Sequence, residues 1–482
     1  MPPQLALVAG AVFILLAFRA EKIRGAPVSS ALFWPFLWYF VCSSRPLGLW
    51  LLTLGVPLPG GSGDATEGSI IDRAFYGVLA LIGIRILRRR NINLGEVLGE
   101  NPLLTAFVVY MCVSIVWSDY PLVSLKRFIK LLGAIVMALV VLTDGHRMEA
   151  IAAVIRRSAY IHIPLSIVVI KYYRELGVSW DWFGVNVSWQ GIATSKNTLG
   201  QVAMTSALCF IWERARHWHT QSWRTHKFVL VDYAYIAMSV FLLKGSDGAV
   251  SLTSLSVFSL GLLLFIVLGK LKSNPVLAAR FSALVFAGVL GLLALVVWHS
   301  VSPFAPDSLF GLVITKFGRD LTLTGRTEIW HDIYQVASQS PLLGVGFGAF
   351  WIGRVANIPW CEDKTWALGQ GHNGYVDTYL HLGGVGVVFL LLLLFLSFRR
   401  LQKSLEDTFE YARFGLMFLL VISFVNITES SFLRGDHNLW FLFLLTMLVV
   451  PQVELATEPN SDVVEDAETS LTEGDEALST PG

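Results

Sequence analysis

Charge is scarce in this chain. Of 482 residues only 15% are Asp, Glu, Lys or Arg, against 54% hydrophobic. Soluble domains carry about 25% charged residues, so the deficit excludes an ordinary soluble fold and indicates a polytopic membrane protein. Cysteine is scarce too: Cys42, Cys112, Cys209 and Cys361 are scattered and offer neither a disulfide framework nor zinc-ligand spacing. With a net charge of +1 and no basic stripe, nothing points to a nucleic-acid partner. The start MPPQLALVAG lacks the basic residues and cleavage site of a secretory leader, so the first apolar run reads as a retained span.

What the chain has instead is long apolar runs. A span takes roughly 20 apolar residues. Runs that qualify, or nearly so, lie at about 4–18, 31–52, 70–87, 103–117, 128–142, 149–170, 197–212, 228–243, 250–269, 281–299, 374–398, 412–428 and 437–451. The expected fold is an all-α bundle of about 12–13 transmembrane helices with one long outer loop carrying short helices. Ser43-Ser44-Arg45-Pro46 interrupts the second run and predicts a broken or re-entrant element there.

Lys and Arg in short loops mark the cytoplasmic side. The clusters Arg19/Lys22/Arg24, Arg88-Arg89-Arg90, Arg147 with Arg156-Arg157, Arg214/Arg216/Arg224/Lys227, Lys270/Lys272 and Arg399-Arg400/Lys403 follow alternate spans. One topology satisfies them all, with the N-terminus outside and the C-terminus inside. The expected organisation is a set of N-terminal helices over 1–299, an outer loop over 300–372, C-terminal helices over 373–451, and an acidic tail over 452–482. That tail holds nine carboxylates and no Lys or Arg, the composition of a disordered, solvated segment. The outer loop is expected to carry amphipathic helices near 326–339 and 349–357. The aromatic and basic loop from Arg214 to Lys227 reads as an interfacial belt rather than a metal site.

The outer loop also concentrates chemistry. GRDLTLTGRTEIW (318–330) and Gly371-His372-Asn373-Gly374-Tyr375 bring cations, carboxylates and a histidine to the longest polar connection. Ionisable groups beside a bilayer are costly and suggest function. Arginine forks onto phosphate oxygens, and histidine can take a proton from a hydroxyl near neutral pH. Arg326 would then neutralise a departing diphosphate while His372 orients or deprotonates a sugar hydroxyl. The plainer alternatives are an Arg326 that reaches lipid phosphate and a His372 that caps the helix starting near Asn373. Glu328 and Asp377 stand close enough in sequence to orient the pair, although Glu328 also suits a helix start. Lys196 and Arg127, near the outer ends of spans, are further candidates to hold diphosphate. Gly344-Val345-Gly346-Phe347-Gly348 has no preceding strand and is not read as a nucleotide loop. No outer loop holds an Asp-x-Asp pair, which disfavours a metal-held nucleotide sugar.

TLTGRTEIW (322–330), PLLGVGFGAFW (341–351) and HNGYVDTYLHLGGVG (372–386) resemble signature blocks of the O-antigen ligase and polymerase superfamily. Within it, SSRPLGLW (43–50), SKNTLG (195–200), GRDLTLTGRTEIW and TESSFL (428–433) resemble exopolysaccharide polymerases of the ExoQ type. The resemblance spans residues 43 to 433. It implies a glycosyltransferase that needs no metal or other cofactor and sits in the bacterial inner membrane. The donor it implies is an undecaprenyl-diphosphate-linked glycan, passed to a glycan acceptor at the periplasmic face. Membrane lipids surround such an enzyme, and chain-length regulator and flippase proteins are partners the family can take.

By position, Arg326 matches the family's loop arginine, and His372, Gly383 and Gly386 match its His-x10-Gly-x-x-Gly pattern, the glycines being expected to allow close helix contact. The ligase branch has an upstream Arg-x3-Leu motif. This chain departs from it, with Asp247 where the arginine would stand and Ser251 where the leucine would stand. Lys244 is expected to supply the missing charge, while Asp247 either binds acceptor hydroxyls or caps a helix. The departure favours a polymerase over a ligase that transfers to a lipid A-core acceptor. A transporter or flippase of lipid-linked sugars is the rival from another class, but no repeated half is visible.

Overall fold

In the computed structural model, the residues described are 1–24, 28–56, 69–180, 187–217, 229–245, 249–301, 308, 326–353 and 369–450. Within Met1–Val450 they form one compact unit. The acidic tail, the segments 302–307, 309–325 and 354–368, the belt residues 218–228, Cys361 and Asp247 all lie outside the described residues.

A helix lies on every predicted apolar run. In chain order they are α1 (Pro3–Arg24), α2 (Phe33–Ser43), α3 (Leu47–Thr53), α4 (Ile70–Arg89), α5 (Leu94–Glu100), α6 (Pro102–Val113), α7 (Pro121–Leu142), α8 (Arg147–Tyr172) and α9 (Arg174–Gly177). There follow α10 (Lys196–Arg216), α11 (Val229–Gly245), α12 (Ala249–Lys270), α13 (Pro275–Val301), α14 (Arg326–Ala337), α15 (Phe350–Gly353), α16 (Gly374–Asp407), α17 (Phe409–Thr428) and α18 (Asn438–Met447). Strong start signals fix several of them. Ser69 and Asp72 form a reciprocal capping box at α4, Pro stands in the first turn of α6 and α7, and the Ser195 and Asn373 side chains cap α10 and α16.

Among the described residues six helices are long and apolar enough to cross a membrane, or seven if the bent pair α5–α6 counts as one span, as befits an all-α polytopic membrane protein. The other helices over predicted runs are shorter, more polar or broken. The second run is broken as expected: α2 stops at Ser43, and Arg45 in the gap donates to the carbonyls of Leu176 at 2.5 Å and Gly191 at 3.4 Å. At the fourth run, α5 meets α6 at 102°, a turn placed by the Asn101-Pro102 junction. A short antiparallel pair, β1 (Val178–Trp180) with β2 (Val187–Trp189), lies where sequence gave only a loop, because three-residue strands leave no readable alternation.

The bundle is graded from centre to rim. In their apolar windows, 83% of α17 and 72% of α8 are buried inside the protein, against 17% of α1 and 22% of α13. The inner helices therefore pack on protein and the outer ones are left to meet lipid. Without a hydrophobic drive between helices in a bilayer, such packing depends on close contact and interhelical polar links. One polar link is a charge network away from the outer loop: Arg156 of α8 pairs with Glu21 of α1 at 3.2 Å and with Glu213 of α10.

Candidate functional site

The first residues of α4, α7, α10, α16 and α18 and the last of α17 share one end of the bundle, and Arg326, His372, Lys196, Arg127 and Asp377 lie there. Glu429 is the hub. It follows the last residue of α17, its side chain is buried, and its backbone carbonyl receives the Gly374 N–H at 3.0 Å. Arg326, which opens α14, places Nη2 2.8 Å from Glu429 Oε1, and the same oxygen accepts from Asn197 Nδ2 at 2.7 Å. His372 Nδ1 stands 3.6 Å from the other oxygen, Oε2. One carboxylate thus gathers an arginine from the outer loop, an imidazole from the approach to α16 and an amide from the start of α10.

Burial alone would raise the Glu429 carboxyl. The His372 imidazole beside it, the charge of Arg326 and the Asn197 amide outweigh it and hold the group below the ordinary range. Gln370 links this cluster to its surroundings: its amide nitrogen is 3.4 Å from His372 Nδ1, and its oxygen accepts from Arg434 at 2.9 Å. Both neighbours, Glu429 and Gln370, stand at Nδ1, and among the described residues Nε2 makes no hydrogen bond.

The capping alternative for His372 fails. Asn373 caps α16, accepting from the backbone N–H groups of Tyr375 and Val376, while His372 sits at φ +50° and turns toward Glu429. Arg326 likewise pairs within the protein. Asp377 does not touch either residue. It accepts from Trp351 Nε1 at 2.9 Å and from the Gly371 N–H at 3.0 Å, so it braces the turn on which His372 rides. Trp330 of α14 donates to the Gly371 carbonyl at 2.7 Å and ties the arginine's helix to the same turn.

The remaining predicted residues divide. Lys196, the first residue of α10, is adjacent in sequence to Asn197 and half-buried. Lys244 is exposed at the end of α11 and makes no ion pair with the cluster among the described residues. The Glu328 side chain lies outside those described. Arg127 belongs to a neighbouring feature: it donates to the Gly348 carbonyl and lines a cavity of about 530 Å³ that Gln370 connects with His372.

The glycines were expected to ease helix contact, and the structure corrects this. Gly383 breaks α16 with φ +64° and ψ −166°, and a Cβ there would overlap the Leu342 carbonyl oxygen. Carbonyls released by the break find partners: those of Leu380 and His381 accept from Val345 and Gly346, and that of Leu382 accepts from Tyr110 at 2.8 Å. Gly386 instead lies against Leu382 of its own helix. Gly344, Gly346 and Gly348 all have positive φ, which explains their spacing as a loop pressed on α16, α7 and Ser118.

In the sequence Glu429 stands only as one letter of the block TESSFL (428–433), with no spaced partner to mark it. Asn197 stood unread beside Lys196. Gln370 and Arg434 carried no sequence signal, since neither falls in a spaced pattern.

These features define a class: a multi-pass helical membrane protein with a buried ionic cluster at one end of its bundle. Residues 233–391, from within α11 to within α16, match the family model described as O-antigen ligase. The chain is also 24% identical over 428 residues to the exopolysaccharide production protein ExoQ of Rhizobium meliloti (strain 1021), covering 81% of this chain and 85% of that protein. Both bear out the resemblance to the O-antigen ligase and polymerase superfamily that the sequence blocks carry.

Proposed function

We propose that the protein polymerises polysaccharide repeat units carried on undecaprenyl diphosphate, at the periplasmic face of the bacterial inner membrane. A hydroxyl of the acceptor glycan attacks the anomeric carbon of the donor. The carbon–oxygen bond to the diphosphate breaks, the polyprenyl diphosphate leaves, and the hydroxyl proton passes to His372. Arg326 meets the charge that grows on the departing phosphate. Glu429 holds both groups, as an anion that fixes the guanidinium and orients the imidazole. Lys196, at the start of α10 beside Asn197, is placed to add a second cation.

The observation that supports this reading most is the convergence of Arg326 and His372 on the two oxygens of Glu429. Polymerase is favoured over ligase by Asp247 in place of the upstream arginine. The test is extension of purified lipid-linked repeat units by the detergent-purified protein, with no membrane gradient. Ladder formation is expected from the wild type and a loss of about 10²–10³ in rate from Arg326→Ala and from His372→Ala. Full activity in both variants would sink the site. Transfer to a lipid A-core acceptor with no ladder would turn the assignment to a ligase.

A further inference from the structure

Among the described residues two groups stand at His372 Nδ1, and they make opposite demands on it. The Glu429 carboxylate, 3.6 Å away, can only accept, so it favours a proton on Nδ1. Gln370 offers its amide nitrogen at 3.4 Å, the nearer of the two. Which end of that amide faces the ring is fixed from its far side. Arg434 Nη1 lies 2.9 Å from the Gln370 side chain, and a guanidinium can only donate, so the atom it meets is the amide oxygen. The amide nitrogen is thereby turned to the imidazole, where it too can only donate. For Nδ1 to accept from it, the neutral ring must carry its proton on Nε2.

The contest is uneven. Glu429 Oε2 stands beyond direct hydrogen-bond reach of Nδ1, and Arg326 at 2.8 Å and Asn197 at 2.7 Å already draw on the other oxygen of the same carboxylate. Arg434 has a second hold besides Gln370, the Ser430 carbonyl at 3.5 Å. Yet a proton on Nε2 occupies the very lone pair that must take up the acceptor's proton. We propose that Arg434 and Gln370 are positioning residues that keep His372 in the Nε2–H tautomer at rest, so that the base is armed only when Gln370 gives up Nδ1 to Glu429. Arg434 acts through Gln370, and Gln370 acts through the ring. The inference rests on the glycan-transfer reading of the cluster.

The test reads the proton itself, by nitrogen NMR of the full chain labelled at histidine, at about pH 8.5, where an ordinary imidazole is neutral. His372 is identified as the signal lost in His372→Gln. The wild type is expected to show a protonated Nε2 and a bare Nδ1. Gln370→Leu keeps the bulk and removes the donor, so the ratio of Nε2–H to Nδ1–H should fall by about fivefold or more, the weight of one neutral hydrogen bond. Arg434→Leu should move the ratio the same way by freeing the amide to turn, whereas Arg434→Lys, which can still only donate, should keep the wild-type ratio. A wild-type ring that is already Nδ1–H, or doubly protonated, overturns the proposal, as does an unchanged ratio in a well-folded Gln370→Leu protein. Elongation is measured on the same preparations. A ratio that shifts as expected in protein that never elongates would cost the transfer reading and leave the tautomer assignment standing, and elongation with an unmoved ratio would do the reverse.

Discussion

At the residue scale the argument turns on Glu429. Its carboxylate is buried and shared by a guanidinium, an amide and an imidazole, so removing its charge leaves Arg326 without a counter-ion. Glu429→Gln should preserve the fold and lower the elongation rate by about 10²-fold, read from product ladders over time. The pH dependence has a definite sign. Glu429 and Asp436 are both depressed in the folded protein, so each stabilises it fully above the ordinary carboxylate range, near about pH 4. That contribution fades as pH falls through the lower folded values. Thermal midpoints should therefore drop on acidification below about pH 4, and less steeply in Glu429→Gln. A variant as acid-sensitive as the wild type would show that the carboxyl is not tuned by its partners.

At the scale of elements, the α16 break carries the site. Residues after Gly371 reach their positions because Asp377 and Asn373 fix the helix start, while Gly383 lets the loop 341–348 enter lower down. Any other residue at position 383 faces a backbone region that is essentially glycine's own, at a cost of about 1–3 kcal/mol before the overlap with Leu342. Gly383→Ala should lower the thermal midpoint clearly, whereas Gly384→Ala, whose Cβ would meet only the Pro341 oxygen at 3.5 Å, should be close to neutral in the same melt. Here sequence reading succeeded and failed for physical reasons. Apolar length located the helices, Ser43 to Pro46 announced a break, and Arg326 with His372 were found as isolated ionisable groups. The strands flanking residues 181–186 are too short to read, while the hold of the Val449 backbone on Asn101 and the press of Leu342 on Gly383 join positions distant in sequence. Glu429 was visible as a letter, but its importance came from three neighbours that only folding brings together.

At the scale of the whole molecule, the alternation of basic loops predicts which helix ends share a side. The structure gathers those ends as expected. Arg156 with Glu21 and Glu213, and Arg90 with Asp144 at 3.2 Å, occupy the ends opposite the Glu429 cluster. Single cysteines make this testable in a background where Cys361 and the exposed Cys112 are both replaced by serine, since Cys42 and Cys209 are buried. Asp119→Cys should react with an impermeant maleimide added outside intact cells, and Lys403→Cys only after the membrane is opened. Labelling of Lys403→Cys from outside, with Asp119→Cys reached only after the membrane is opened, would reverse the assignment of sides and with it the periplasmic chemistry.

His372 holds its main chain at φ +50°, a region in which side-chain-bearing residues sit uneasily. Selection for durability alone would have placed glycine there. His372→Gly should accordingly raise the melting temperature slightly while slowing elongation by about 10²–10³, whereas His372→Ala keeps the awkward backbone and gains nothing. A heat-hardened yet inert protein would mean that tension in the turn is tolerated for the imidazole's sake.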